Sequence, residues 1–111
     1  MAVVDHVADV KKYAKGGVDE AAVAGLLKTY RLVLSKADTR YVACADPAER
    51  ERVRKSFLEK KLGLTAADLD AAIEAVCGAM KADRTKSRLT FYYLLAERYG
   101  KLDMFVTKRA A

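Results

Sequence analysis

The stretch TKSRLTFYYLLAERYGKL, residues 85–102, decides the fold. On a helical wheel, Leu89, Tyr92, Tyr93, Leu95, Ala96 and Tyr99 share one broad apolar arc, and Phe91 and Leu94 fall outside it. A helix that is apolar on more than one side belongs in a core. Its basic residues Arg84, Lys86, Arg88 and Arg98 scatter around the wheel instead of forming one stripe. A helix that tracks a nucleic-acid groove needs that stripe, clear of the core. A helix-turn-helix reading would make Thr85, Lys86 and Arg88 lead a recognition helix. The apolar FYYLL that follows occupies the positions such a helix keeps polar. The stretch reads as a core helix.

Working outward, each further helix is marked by its own punctuation. Val3, Val7, Val10 and Ala14 recur at helical spacing before Gly16-Gly17. Asp19 caps a second helix whose face is Val23, Leu26, Leu27, Tyr30, Val33 and Leu34. Residues 35–46 break the period, and Tyr41 to Cys44 read as an extended piece without a strand partner. Asp46, Pro47 and Glu49 mark the start of a third helix that runs to Leu62, before Gly63. T-A-A-D at 65–68 reads as a capping box for a fourth, lined by Leu69, Ile73, Val76 and Met80. The fifth spans Arg84 to Tyr99. The expectation is one all-α domain over 1–111: an N-terminal part at 1–46, a helical core at 47–105 and a tail at 106–111. Helices two, four and five form the centre, and Leu102, Met104, Phe105 and Val106 fold back over it.

Composition narrows the function classes. Among 111 residues, 52% are hydrophobic and 32% charged, a globular balance that needs no staple at this length. The apolar run AAVAGLL, residues 21–27, is too short to cross a bilayer, and the N-terminus lacks the basic cluster of a secretory signal. Two cysteines, Cys44 and Cys77, and one histidine, His6, fall short of a four-ligand zinc site and carry no CxxC spacing. The expectation is a cytoplasmic protein with reduced thiols, no metal and no cofactor. Asp68 and Asp70 diverge on a helix, and Gly16-Gly17 lacks the continuation of a phosphate loop. A Cys44 nucleophile with His6 as base is the one enzymatic alternative, and the plainer reading is a small hydrophobe and a surface imidazole.

The net charge of +6 is uneven: 47–63 carries +3 and 83–111 carries +4, on either side of a −2 segment at 64–82. Arg50, Arg54 and Lys61 project between two apolar strips of helix three, with Val53 and Phe57 on one and Leu58 and Leu62 on the other. They reach either an anion or the acidic helix four, through Asp70 and Glu74. With Arg84, Lys86 and Arg88 they make up the candidate anion- or partner-binding set. A protein partner or a second copy of the chain is expected, with at most weak nucleic-acid binding and no membrane.

The segments VRKSFLEKKLGL (53–64), LDAAIEAVCGAM (69–80) and TFYYLLAERYGKL (90–102) resemble a small uncharacterised bacterial family of unknown function, best over Val53 to Phe105. Members of that family often read N-R-N-K-x-R before the F-Y-Y-L-L block. Here D-R-T-K-S-R keeps Arg84, Lys86 and Arg88 and replaces both asparagines. The resemblance implies a bacterial cytosolic protein and brings no activity or cofactor.

Overall fold

A computed structural model describes residues 6–36, 39–65, 68–83 and 85–106. It places α1 (His6–Lys11), α2 (Glu20–Thr29), α3 (Arg31–Ser35), β1 (Tyr41–Val42) and α4 (Pro47–Arg52) in chain order. A π-helix (Val53–Lys61) continues α4 directly, and α5 (Leu69–Ala79), β2 (Lys86–Ser87), α6 (Arg88–Arg98) and a 3₁₀ turn (Leu102–Phe105) complete the chain. The protein is mainly helical, with one small two-stranded sheet.

The α6 segment is the centre, as its sequence predicts. Nine of its eleven residues, Arg88 through Ala96, are buried. It packs against α1, α2, α5 and the 3₁₀ turn. Polar ends of α6 side chains fasten the N-terminal part: the Asp19 amide donates to the Tyr93 hydroxyl at 2.8 Å, and the Thr90 hydroxyl donates to Asp9. Such bonds let hydroxyls sit in a core without an unmet polar group. Two of the anticipated caps form. Asp19 accepts from the Ala22 amide, and Asp46 accepts from the Ala48 amide, with Pro47 in the first helical turn.

Several elements differ from the sequence reading. Tyr41 and Val42 do have a strand partner: they pair antiparallel with Ser87 and Lys86. That pairing draws residues 86 and 87 out of helix five, so α6 starts at Arg88 with Ser87 as its cap. Helix two is interrupted at Tyr30, and Leu27, assigned to its apolar face, is 40% exposed. The box at 65–68 does not open helix four; Asp68 precedes Leu69 without a side-chain cap bond, and Ala66 and Ala67 lie outside the described residues. Val3 also lies outside them.

The two strips of helix three have a physical resolution. Over Val53–Lys61 each hydrogen-bonded turn closes at five residues; the Leu62 amide, for instance, donates to the Phe57 carbonyl at 2.8 Å. Widening the turn reduces the rotation per residue, so positions that diverge on an α-wheel converge on one face. Val53, Phe57, Leu58 and Leu62 are all at most 3% exposed. Arg54 and Glu59, five apart, then meet as an ion pair at 2.5 Å.

The C-terminal turn lies across α2. Phe105 is buried and stacks with Phe57 at 6.0 Å between ring centroids, and Phe57 stacks with Tyr92 at 3.9 Å. Gly25 makes this approach possible: a Cβ there would lie 1.5 Å from the Phe105 carbonyl oxygen, an impossible overlap with backbone. Leu102 and Val106 pack partly against the core, and Met104 points outward, 48% exposed.

Cys44 and Cys77 form a disulfide, which overturns the expectation of reduced thiols. Their 33-residue separation offers no local spacing signal, but the fold places their Cα atoms 6.0 Å apart. Closing a loop of that length removes unfolded-state entropy worth ~3–4 kcal/mol on the chain-entropy account. Reductant is therefore expected to lower the melting temperature by roughly 12–17 °C while leaving a cooperative transition. An unchanged melting curve, with thiol titration showing the same two free thiols before and after, would refute the pairing.

Candidate functional site

The candidate basic residues are best judged one at a time, by what each guanidinium or ammonium touches. Arg88 opens α6 and is only 6% exposed. Its Nε donates to the Thr39 carbonyl, Nη1 to the Tyr92 hydroxyl at 3.1 Å, and Nη2 to the Tyr41 carbonyl at 3.3 Å. Nη2 also pairs with Glu49 Oε2 at 2.5 Å, and Glu49 is itself 6% exposed. Glu49 sits in the first turn of α4, where a carboxylate also suits the helix dipole. Its second oxygen takes Arg52. Burial works against the Arg88 charge, but Tyr92 and Glu49 outweigh it and hold the guanidinium above its ordinary pKa. Burial in turn pushes the Tyr92 hydroxyl up. Arg88 is therefore a buried structural cation, with no free face for an external anion.

Arg50 and Arg54 meet the acidic helix as the sequence suggests. Arg50 pairs with Glu74 at 2.7 Å, and its Nε donates to the Cys44 carbonyl at 2.7 Å. Arg54 spans Glu59 and Asp70, the latter at 3.2 Å. The two arginines share a recess of about 350 Å³ with Pro47, Glu51, Asp70 and Ile73, so its wall carries both signs of charge. Lys61 takes no part: it is exposed, and its ammonium lies 5.7 Å over the Phe105 ring. Lys86 donates to the Asp83 carbonyl at 2.7 Å. Arg84 lies outside the described residues. The set is thus dispersed, with Arg50 and Arg54 in one recess and Arg88 buried with Glu49. α6, buried at nine of eleven positions, offers no polar face to a groove.

A larger cleft, about 570 Å³, opens elsewhere, between α5, α6 and the turn after α1. Ala75, Val76 and Leu94 give it an apolar floor, and Lys15, Glu97 and Arg98 stand at its rim. Tyr13, also in its wall, donates to Asp83; that bond holds the Asp83 carboxyl below its usual range and the phenol above its own. Neither Cys44 nor His6 lines this cleft. The disulfide also removes the free thiol that a Cys44 nucleophile requires, so the Cys44–His6 constellation is not assembled. Among the described residues, no group of three or more His, Cys, Asp or Glu side chains could hold a metal ion, and no helix is long and apolar enough to cross a membrane.

The family described as "Protein of unknown function (DUF2853)" matches residues 5–103. The chain belongs to this family. The match reaches well beyond the Val53–Phe105 resemblance and takes in α1, α2 and the connection to α4. No curated protein matches the chain. In this DUF2853 member, sequence reasoning missed the Arg88–Glu49 pair. Its signal was present: Arg88 lies at the margin of the apolar arc of α6, where a charge demands a buried partner.

With Arg50, Arg54 and Arg88 all engaged with carboxylates, the net charge is expected to overstate affinity for phosphates. Fluorescence anisotropy with duplex and single-stranded probes is expected to show weak, sequence-blind binding that is lost by about 150 mM salt. Sub-micromolar binding that persists at that salt and disappears in Arg54→Ala would overturn this.

Proposed function

We propose that the protein is a non-catalytic interaction or structural module of the bacterial cytosol whose partner is another protein or a second copy of itself. The observation that carries the reading is the contrast between its charges and its apolar surface. The three arginines best placed to recognise an anion are matched internally. Large apolar side chains are left outside: Leu27 on α2, Leu32 on α3 at 72% exposure, Tyr41 on β1 and Met104 in the 3₁₀ turn. Scattered exposed leucines are ordinary, but Leu32 is largely exposed on a short helix with no buried residue. The exposed Tyr41 is of a type enriched at interfaces.

A weak anion binder is the second reading, and it rests on Lys15 and Arg98. Both border the 570 Å³ cleft, and neither makes an ion pair among the described residues.

Two measurements together separate these readings. Light scattering across a concentration series reports self-association, and capture from native cytosol with and without nuclease reports a partner. The expected result is a dimer, or a captured protein that survives nuclease, weakened by Leu32→Asp at an unchanged melting temperature. A monomer that captures nothing, or capture abolished by nuclease, would remove the interaction reading. Capture lost in Lys15→Ala with Arg98→Ala, but unaffected by Leu32→Asp, would favour the anion reading.

A further inference from the structure

The disulfide joins two unlike places. Cys77 lies within α5, is 7% exposed and belongs to the core cluster. Cys44 is half-buried in the connection between β1 and α4, and Ala43, Ala45 and Asp46 around it are exposed. We propose that Cys44–Cys77 is a reversible thiol–disulfide exchange site, at which a low-molecular-weight thiol of the glutathione class attacks Cys44.

Three features support this assignment. Attack needs a line of approach to one sulfur. A mixed disulfide at Cys44 displaces only the short connection, whereas one at Cys77 would have to open a packed helix. The second feature is a backbone held from outside the disulfide. Arg50, itself paired with Glu74, donates to the Cys44 carbonyl, so residue 44 keeps its half-buried position whether or not the sulfurs are joined. The third is that the flanking structure has other anchors. Arg50–Glu74 and Arg54–Asp70 still join α4 and the π-helix to α5, and Arg88 still grips the carbonyls of Thr39 and Tyr41. Opening the bond therefore removes the covalent link between residue 44 and α5 without dismantling the bundle.

The exchange balances without any group from the protein beyond the two sulfurs. The external thiolate bonds to Cys44 Sγ, the Cys44–Cys77 bond breaks, and its electron pair leaves on Cys77 Sγ, which takes a proton. A second external thiolate attacks the external sulfur of the mixed disulfide and frees the Cys44 thiolate. Two thiols end as their disulfide, and the protein has gained two electrons. The reverse sequence closes the bond at the expense of the oxidised form of the same small thiol.

The test uses the full oxidised chain in glutathione buffers spanning cytosolic poise, with acid quenching, maleimide trapping and peptide mass mapping. The pair is expected to open and close reversibly across that range, with unchanged far-UV circular dichroism. The trapped glutathionyl adduct is expected on Cys44 at least about tenfold more often than on Cys77. Single-cysteine variants provide a second readout: Cys77→Ser should take up one glutathionyl group from oxidised glutathione at least about tenfold faster than Cys44→Ser. A bond that stays closed in the most reducing buffer is a permanent staple and overturns the proposal. So does an adduct shared equally between the two sulfurs, or opening accompanied by loss of helical signal.

Discussion

The ion pair between Arg88 and Glu49 is the contact on which the rest of this structure depends. Both residues are 6% exposed, and they belong to different helices, α6 and α4. Two charges out of water are stable only when nearly every donor and lone pair is used. Arg88 meets that demand by reaching Glu49, the Tyr92 hydroxyl and the carbonyls of Thr39 and Tyr41. Satisfying one guanidinium therefore fixes the start of α6, the first turn of α4 and the path of the connection between α3 and α4. The two-residue sheet between β1 and β2 lies directly beside this point, and the Arg88 amide donates to the Arg40 carbonyl at 2.7 Å.

From that anchor the basic character of the chain takes on a different meaning. A net charge of +6 suggests an anionic partner. In the folded protein, however, Arg50 of α4 and Arg54 of the π-helix face carboxylates of α5, and Arg88 of α6 faces Glu49 of α4. The exposed pairs add little stability, because Glu74 and Asp70 are 67% and 79% exposed. Their effect is on the surface charge, since each sets a carboxylate against a guanidinium. Cations that make no ion pair among the described residues, such as Lys15 and Arg98, flank a cleft with an apolar floor.

Much of the fold was legible because its signals are local. Asp19 and Asp46 announce their helices through cap chemistry, and the apolar breadth of α6 announces its burial. The pairing of Arg50 and Arg54 with α5 was readable from complementary charge blocks. What escaped depends on contacts distant in sequence. No local pattern marks the approach of Cys44 to Cys77, of β1 to β2, or of Gly25 to the Phe105 carbonyl. The π-helix was half visible: two apolar strips that no α-wheel can merge were the sign that the turn is wider there. By its charge Arg88 reads as a candidate for anion or partner binding, whereas its place on the wheel points to burial. That place was the better guide.

A double-mutant cycle between Glu49 and Arg88, read by denaturant unfolding of Glu49→Gln, Arg88→Met and the double variant, tests the central claim most directly. Each single change is expected to destabilise by ~3–5 kcal/mol, because it leaves an uncompensated buried group. The double variant should fall short of the sum by at least ~1.5 kcal/mol, the coupling expected of contacting residues. Singles that each lose less than ~1 kcal/mol, or effects that simply add, would contradict the account.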